Sequence, residues 1–498
     1  MSWNARRFWL SKWKGLSPIE AVGCLSERPF GRIFGFECLS FPSSTPSTTE
    51  TEAMQAKNEL PRREFIGSMT AALVGGSAVN SAALGSWLGQ DESTQAAAGR
   101  STEPVRMGII GVGGRGTYLL RLLLEQGVEV PAVCDIRPAR LEIAVNLIAK
   151  AREGRKPATY GKDPFDYRHL LARDDLEAVL VATPMQWHAV MSVDALRAGK
   201  HVLSEVSAAV TLQECWDLVH AVEETGRIYM LAENCCYWHP VMMIRNMVRK
   251  GIFGELTFAE CGYVHDCRAL AFEADGSLTW RGELSRDHRG NLYPTHSLGP
   301  VAQWLGINRG DRLVSLVAAE TKHAGMRHYI EKRFPPDHPA RKLQFKAADS
   351  TTVLIRTAKG VLIDLRYDVK SARPHPTTVY YSLQGTTASY DSRIDGIWIE
   401  GRSPSYQWQP LDTYREEFED PLWKEHRAAA EKTGHAGGDF FVLHQFLEAI
   451  RRGGPSPIDV YDAVTWSAVT PLSEISLNEG GRVVEIPDFT RGKWESRS

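Results

Sequence analysis

The sequence predicts an α/β protein, a doubly wound parallel sheet followed by a second domain of mixed helices and strands. Three observations carry that prediction. A glycine-rich turn, Gly111-Val112-Gly113-Gly114-Arg115-Gly116, joins an apolar run from Val105 to a leucine-rich helical stretch, Leu119 to Leu124. A second strand, Val128 to Val133, leads to Asp135, 19 residues beyond Gly116. Beyond it the apolar runs alternate with helical patterns, and after Tyr263 the chain is mixed, with strand-like segments among helical ones.

The chain has 498 residues, 43% hydrophobic and 24% charged, enough to bury more than one core. Its 58 basic and 60 acidic residues give a net charge of −2, which excludes a chain-wide affinity for nucleic acid or anionic membrane. No apolar run has the length of a membrane-spanning helix. Eight cysteines in so long a chain are no disulfide scaffold, and none has C-x-x-C spacing.

Residues 1–100 read differently from the rest, as an N-terminal extension. Arg62-Arg63 precedes a moderately apolar stretch from Met69 to Leu88, and Ala96-Ala97-Ala98 offers a small-residue cleavage site. This pattern is that of a twin-arginine export signal, which predicts a periplasmic protein. Such a signal belongs at an N-terminus, so translation is expected to start at Met54, with residues 1–53 a start-site artefact.

From residue 104 the strand, G-x-G-x-x-G turn, helix, second strand and acidic residue arrive in the order of a Rossmann unit. Glycines let the backbone approach a pyrophosphate, and the helix N-terminus faces its charge. Gly111, Gly113, Gly114, Arg115 and Gly116 are the expected loop contacts. Asp135 can accept from the adenosine ribose hydroxyls and would repel a 2′-phosphate, which favours NAD over NADP. The rhythm continues through Ala178–Thr183, a helix from His188, His201–Val206, a helix from Leu212 and Ile228–Ala232. Thr183-Pro184, Glu205-Val206 and Glu233-Asn234 fall at strand ends, where such sheets bind ligands.

Four further strings carry a family resemblance: Ala182-Thr183-Pro184-Met185-Gln186-Trp187-His188, Glu233-Asn234-Cys235-Cys236-Tyr237, Gly262-Tyr263-Val264-His265-Asp266 and Asn291-Leu292-Tyr293-Pro294-Thr295-His296. With Asn308-Arg309-Gly310-Asp311-Arg312, they make residues 104–490 resemble the Gfo/Idh/MocA oxidoreductase superfamily. Within it, the chain is most similar to glycoside hydrolase family 109, whose characterised activity is α-N-acetylgalactosaminidase. The lysine of the superfamily's Glu-Lys-Pro motif is missing. Glu205-Val206-Ser207 stands there, against Glu-Val-Pro in the hydrolases. Loss of that lysine argues against the alternative, an NAD-dependent sugar oxidoreductase. Ser207 is expected to affect loop rigidity more than chemistry.

The resemblance implies a retaining, NAD-dependent glycosidase. The sugar is oxidised at C3, the C1 leaving group is eliminated after loss of the C2 proton, water adds at C1 and C3 is reduced again. By position in the family motifs, Tyr263 is the C2 base, His296 stands beside the reacting hydroxyls and Glu233 is an active-site carboxylate. Arg281, Tyr293, Pro294 and Thr295 join Tyr263 and His296 around the sugar. His375 stands where the family pattern has tyrosine, which leaves the exact sugar open. Met185, Gln186, Trp187, His188, Glu205, Val206 and Asn234 fall on cofactor-contacting positions. A tyrosine base needs its pKa brought down from about 10, so cationic neighbours such as Arg281 are expected.

Residues 104–236 are thus the expected NAD-binding domain and 237–490 the substrate domain, with late helices packing back on the Rossmann half. Expected strands include Leu256–Val264, Leu313–Ala318, Thr352–Arg356, Val361–Tyr367 and Val379–Leu383. The resemblance makes their sheet mostly antiparallel. The charged, proline-rich stretch Glu331 to Lys342 reads as loop, and Asp439–Ile450 and Val460–Leu477 as helical. No metal is expected, since His265-Asp266, His288 and His296 match no zinc spacing. Cys235 and Cys236 read as buried hydrophobes. The expected partners are a small glycoside and a second copy of the chain.

Overall fold

The computed structural model describes residues 103–374 and 378–497. The export segment, Met54 and His375 lie outside the described residues.

Six strands form a parallel sheet: β1 (Arg106–Ile110), β2 (Glu129–Cys134), β3 (Ala158–Tyr160), β4 (Ala178–Val181), β5 (His201–Ser204) and β6 (Tyr229–Leu231). Their order is β3-β2-β1-β4-β5-β6, the doubly wound arrangement with its switch point at β1 and β4. The strands are apolar because helices cover both faces; β4, Ala178-Val179-Leu180-Val181, is buried throughout. Register places their C-terminal ends on one edge. Gly111 N donates to Cys134 O at 2.8 Å, Ala182 N to Ile110 O at 2.8 Å, Glu205 N to Val181 O at 2.9 Å and Ala232 N to Ser204 O at 2.8 Å. This staircase brings the glycine turn, Thr183, Glu205 and Glu233 to the same rim.

A second sheet has nine strands: β7 (Leu256–Val264), β8 (Leu313–Glu320), β9 (Ser350–Thr357), β10 (Leu362–Asp368), β11 (Val379–Gly385), β12 (Ala388–Asp391), β13 (Gly396–Ile399), β14 (Gln409–Pro410) and β15 (Val484–Glu485). The order is β14-β13-β12-β11-β7-β10-β9-β8-β15. Every pair is antiparallel except β7 with β10. That pairing sets Tyr263 beside Tyr367, with Val379 of β11 on its other side. Burial alternates along β9 and β10, so one face meets helices and the other is open.

Helix Thr295–Trp304 packs on β7 and β11 and reaches the rim of the parallel sheet. Helix Val460–Ser467 lies against helix Leu212–Thr225, and Ser467 Oγ accepts from Ala208 N at 3.0 Å. The Asn308-Arg309 string ties this helix to the second sheet. Arg309 donates to both carboxylate oxygens of Asp462 at 2.8 Å, and Asn308 Nδ2 to Thr465 Oγ1 at 3.2 Å.

One expectation is corrected here. The stretch Glu331 to Lys342 is not all loop: helix Gly325–Arg333 runs into it, and a 3-10 turn, Pro339–Lys342, closes it. Met326, Ile330, Phe334 and Ala340 form a small apolar cluster with Phe272, and that burial overrides the polar composition.

Lys370, just past β10, is buried at 2% exposure and its Nζ donates to Ala347 O. Burial pushes its ammonium down to about 7, against the pull of Asp349 and Glu320. The unfolded chain therefore holds this proton up to pH 10.5 while the folded chain has begun to lose it, and stability rises with pH in between. Lys370→Met is expected to raise the melting temperature most near about pH 6, where the wild type carries the full cost of a buried charge. The gain shrinks toward about pH 10, leaving the loss of one hydrogen bond worth about 1 kcal/mol. Thermal melts of both proteins across that range check it; a pH-independent difference contradicts it.

Candidate active site

The glycine turn is shaped by contact. Gly111 has φ +89°, and a Cβ on Gly116 would collide with the Gly111 carbonyl. A Cβ on Gly113 or Gly114 meets no atom within 4 Å, so the turn presents open backbone at the start of helix Gly114–Glu125. Nearby at the ends of β4, Thr183 Oγ1 and Gln186 Oε1 are buried without a partner. An approachable helix N-terminus flanked by unsatisfied polar atoms fits a pyrophosphate and its riboses.

Asp135 follows β2, and its carboxylate accepts from Val112 N and Arg137 N, both at 2.9 Å. These bonds aim it across the turn and leave lone pairs for ribose hydroxyls. Arg115 does not reach out. It donates to Glu205 at 2.8 Å and to both oxygens of Asp439 at 3.0 and 2.6 Å. Burial works against its charge, but Glu205 and Asp439 more than offset that. Asn234 Nδ2 also donates to Asp439, at 2.9 Å. His188 is buried, its ring nitrogens 2.7 Å from Thr183 O and 2.8 Å from Ser207 O. It braces two loops of the rim. Met185 and Val206 are buried beside it, and Trp187 packs edge-on to Phe165 at 6.2 Å.

The second half of the site is aromatic. Tyr263, at the end of β7, has ring centroids 5.4 Å from Tyr293, 5.6 Å from His296 and 6.4 Å from Tyr367. His296, in the first turn of helix Thr295–Trp304, bonds Glu233 Oε1 through Nδ1 at 2.7 Å. Glu233 Oε1 also accepts from Cys235 N at 3.1 Å, while Oε2 is buried without a partner. Gly299 suits this close approach, since a Cβ there would sit 3.2 Å from Glu233 Cγ and 3.0 Å from Trp466, tighter than ordinary contact. Pro300 lacks the N–H that would bond the His296 carbonyl, and the Tyr381 hydroxyl donates to it instead, at 2.6 Å. Burial alone would lower the His296 imidazole, but Glu233 draws its pKa up. Pro294 and Thr295 are buried at the helix start, Thr295 Oγ1 unpartnered.

Tyr263, Tyr293, Trp280 and Arg281 line a cleft that opens to solvent. Arg281 stacks on Trp280 at 4.2 Å. The expected lowering of the Tyr263 pKa is not found: burial drives it well above 10, and Cys267, Tyr293 and Tyr367 add to the rise. Arg281 lowers Cys267, Tyr293 and Tyr367 instead. His288 bonds Glu474 at 2.9 Å. Sequence reasoning missed Asp439, Tyr381 and Cys267, whose Sγ lies 2.8 Å from His265 Nδ1.

Because the Gly116 contact is backbone on backbone, Gly116→Ala is expected to weaken NAD binding roughly tenfold or more. Titration calorimetry with NAD checks this, and wild-type affinity in the variant would unseat the turn as the pyrophosphate site.

The family model described as "Oxidoreductase family, NAD-binding Rossmann fold" matches residues 105–233, and "Glycosyl hydrolase 109, C-terminal domain" matches residues 237–496. A glycosyl hydrolase family 109 protein of Stenotrophomonas maltophilia is 40% identical over 79% of this chain and 90% of its own. An alpha-N-acetylgalactosaminidase of Tannerella forsythia is 35% identical over 88% of this chain and 98% of its own. Among solved structures, levoglucosan dehydrogenase in complex with NADH superposes with TM-score 0.58 at 18% identity, covering 77% of this chain and all of that one, a likeness of fold. Family models that match residues 105–233 and 237–496, and relatives 35 and 40% identical over most of both chains, leave one conclusion: the chain belongs to glycosyl hydrolase family 109.

Proposed function

We propose that this protein hydrolyses α-linked N-acetylgalactosaminides with retention of configuration, through transient oxidation of the sugar at C3. The observation that carries the reading is the Glu233–His296–Tyr263 cluster, which stands where the rim of the NAD-binding sheet meets the end of β7. Two relatives bearing the name alpha-N-acetylgalactosaminidase, from Tannerella forsythia and Shewanella oneidensis, support the sugar.

NAD, when bound, supplies a hydride acceptor for C3, a donor for its return and a positive charge beside the sugar. Glu233 holds Nδ1 of His296, so Nε2 is the nitrogen that takes the C3 hydroxyl proton. Tyr263 removes the proton from C2, which the ketone at C3 acidifies. Its buried phenol is protonated until ligands bring positive charge to it. Arg281 and Tyr293, which line the cleft, orient the sugar. Asp135, Asn234 and the glycine turn seat the cofactor, with Arg115 acting through Asp439. Twin-arginine export to the periplasm belongs to the same proposal, on the strength of Arg62-Arg63 and the stretch after it. No helix among the described residues is long and apolar enough to cross a membrane.

Without added NAD, the purified protein is expected to release nitrophenol from nitrophenyl α-N-acetylgalactosaminide while no NADH accumulates. NADH accumulating with free sugar would mean a dehydrogenase instead. Tyr263→Phe should cut the rate by roughly a hundredfold or more. Because Glu233 raises His296, and Nε2 must be neutral to accept a proton, activity should rise with pH along a limb above 6.5. Glu233→Gln should move that limb to lower pH; a limb that stays put would remove His296 from the assigned step.

A further inference from the structure

Glu233, Cys235 and His296 bring a carboxylate oxygen, a thiol sulfur and an imidazole nitrogen within 4.8 Å of one another. Glu233 stands just beyond β6, Cys235 two residues later in the 3-10 turn Asn234–Tyr237, and His296 arrives on its own helix. The glycosidase reading makes no use of the Cys235 side chain. It also leaves Glu233 Oε2 unexplained, a carboxylate oxygen with no partner in a residue of 0% exposure. A buried anionic oxygen in that state is a ligand position in search of a cation.

Charge decides what can enter. Burial and Glu233 keep the Cys235 thiol protonated, and Glu233 draws His296 toward imidazolium. A divalent cation held by the thiolate and by Nδ1 takes the place of the thiol proton and of a proton on Nδ1, so the exchange limits the charge added to a buried site. The donor set of sulfur, nitrogen and oxygen suits zinc, which binds three protein ligands with a fourth position open. His296 is the most exposed of the three, at 19% of its side chain. The Glu233–His296 pair must open from 2.7 Å to roughly 3.3 Å, the edge of a tetrahedron with bonds of about 2 Å.

We propose that Glu233, Cys235 and His296 form an inhibitory site for zinc, which takes the place of the protons on Cys235 and on His296 Nδ1 and stops hydrolysis. Ion binding stands on the trio's geometry alone; inhibition rests on the role given above to His296.

Cobalt is the probe, because a cobalt–thiolate bond has its own absorption band. Titrating the metal-free full-length protein with Co²⁺ should give that band at one ion per chain, displaced by Zn²⁺. Calorimetry in buffers of different ionisation heat should find close to two protons released per ion. Cys235→Ala should lose the band and weaken Zn²⁺ binding by at least about tenfold. Should that variant misfold by circular dichroism, Cys235→Ser and the wild-type proton count decide the matter. A thiolate band that survives in the Cys235 variant, or no ion bound by the wild type, overturns the site. Zn²⁺ should suppress nitrophenol release in the wild type at concentrations that leave the Cys235 variant active. Site occupancy without loss of rate overturns the inhibition. If the metal-free protein releases no nitrophenol, the glycosidase reading fails, and the cobalt titration still decides the site.

Discussion

The site depends on one buried anion. Asp439, at 0% exposure, accepts two bonds from Arg115, one from Asn234 Nδ2 and one from His435 Nδ1 at 2.7 Å. Burial would raise its carboxyl, but the bonds from His435 and Arg115 prevail and hold it well below the ordinary range. Through these bonds the glycine turn, the end of β6 and the helix Gly438–Arg452 become one body. The backbone before that helix bears a cost for this arrangement. His435, Ala436 and Gly437 have φ of 52°, 52° and 82°, left-handed values that only the glycine adopts freely. Four hydrogen bonds on one carboxylate are what hold the chain there, and they leave Arg115 committed to structure within a loop that otherwise serves a cofactor.

Much of this was legible in the sequence, for a physical reason. Signals carried by neighbours in the chain survive without the fold: the glycine turn, its helix and Asp135, and the run Leu256–Val264, whose observed strand has the same limits. What stayed hidden was made by residues far apart. Arg115 and Asp439 are 324 positions apart, and Asn234 and Asp439 are 205. Nothing near Asp439 distinguishes it from any acid at a helix start. The short strands β12, β13 and β14 were missed because so few residues each cannot display a period.

The tyrosine shows where pattern and physics part. A motif can mark Tyr263 as a base, but only packing sets its proton affinity. Tyr293, Tyr367 and His296 surround it, and the dryness that protects a reacting sugar also disfavours a phenolate. The two demands are compatible only if charge is delivered with the ligands. In the proposed reaction the protein alone therefore presents an idle base, activated only when the ligands bind.

The same logic explains why His296 needs so much support. Its Nδ1 is fixed by Glu233, its carbonyl by the Tyr381 hydroxyl, and its helix approaches Glu233 because residue 299 is glycine. Pro300 frees the carbonyl that Tyr381 then takes, so a local defect in the helix becomes a bond to β11 of the second sheet. The histidine is thereby held from the Rossmann rim on one side and from the substrate sheet on the other. The proton relay proposed for His296 would have to be placed against both cofactor and sugar, and the two sheets between them fix this side chain and its carbonyl.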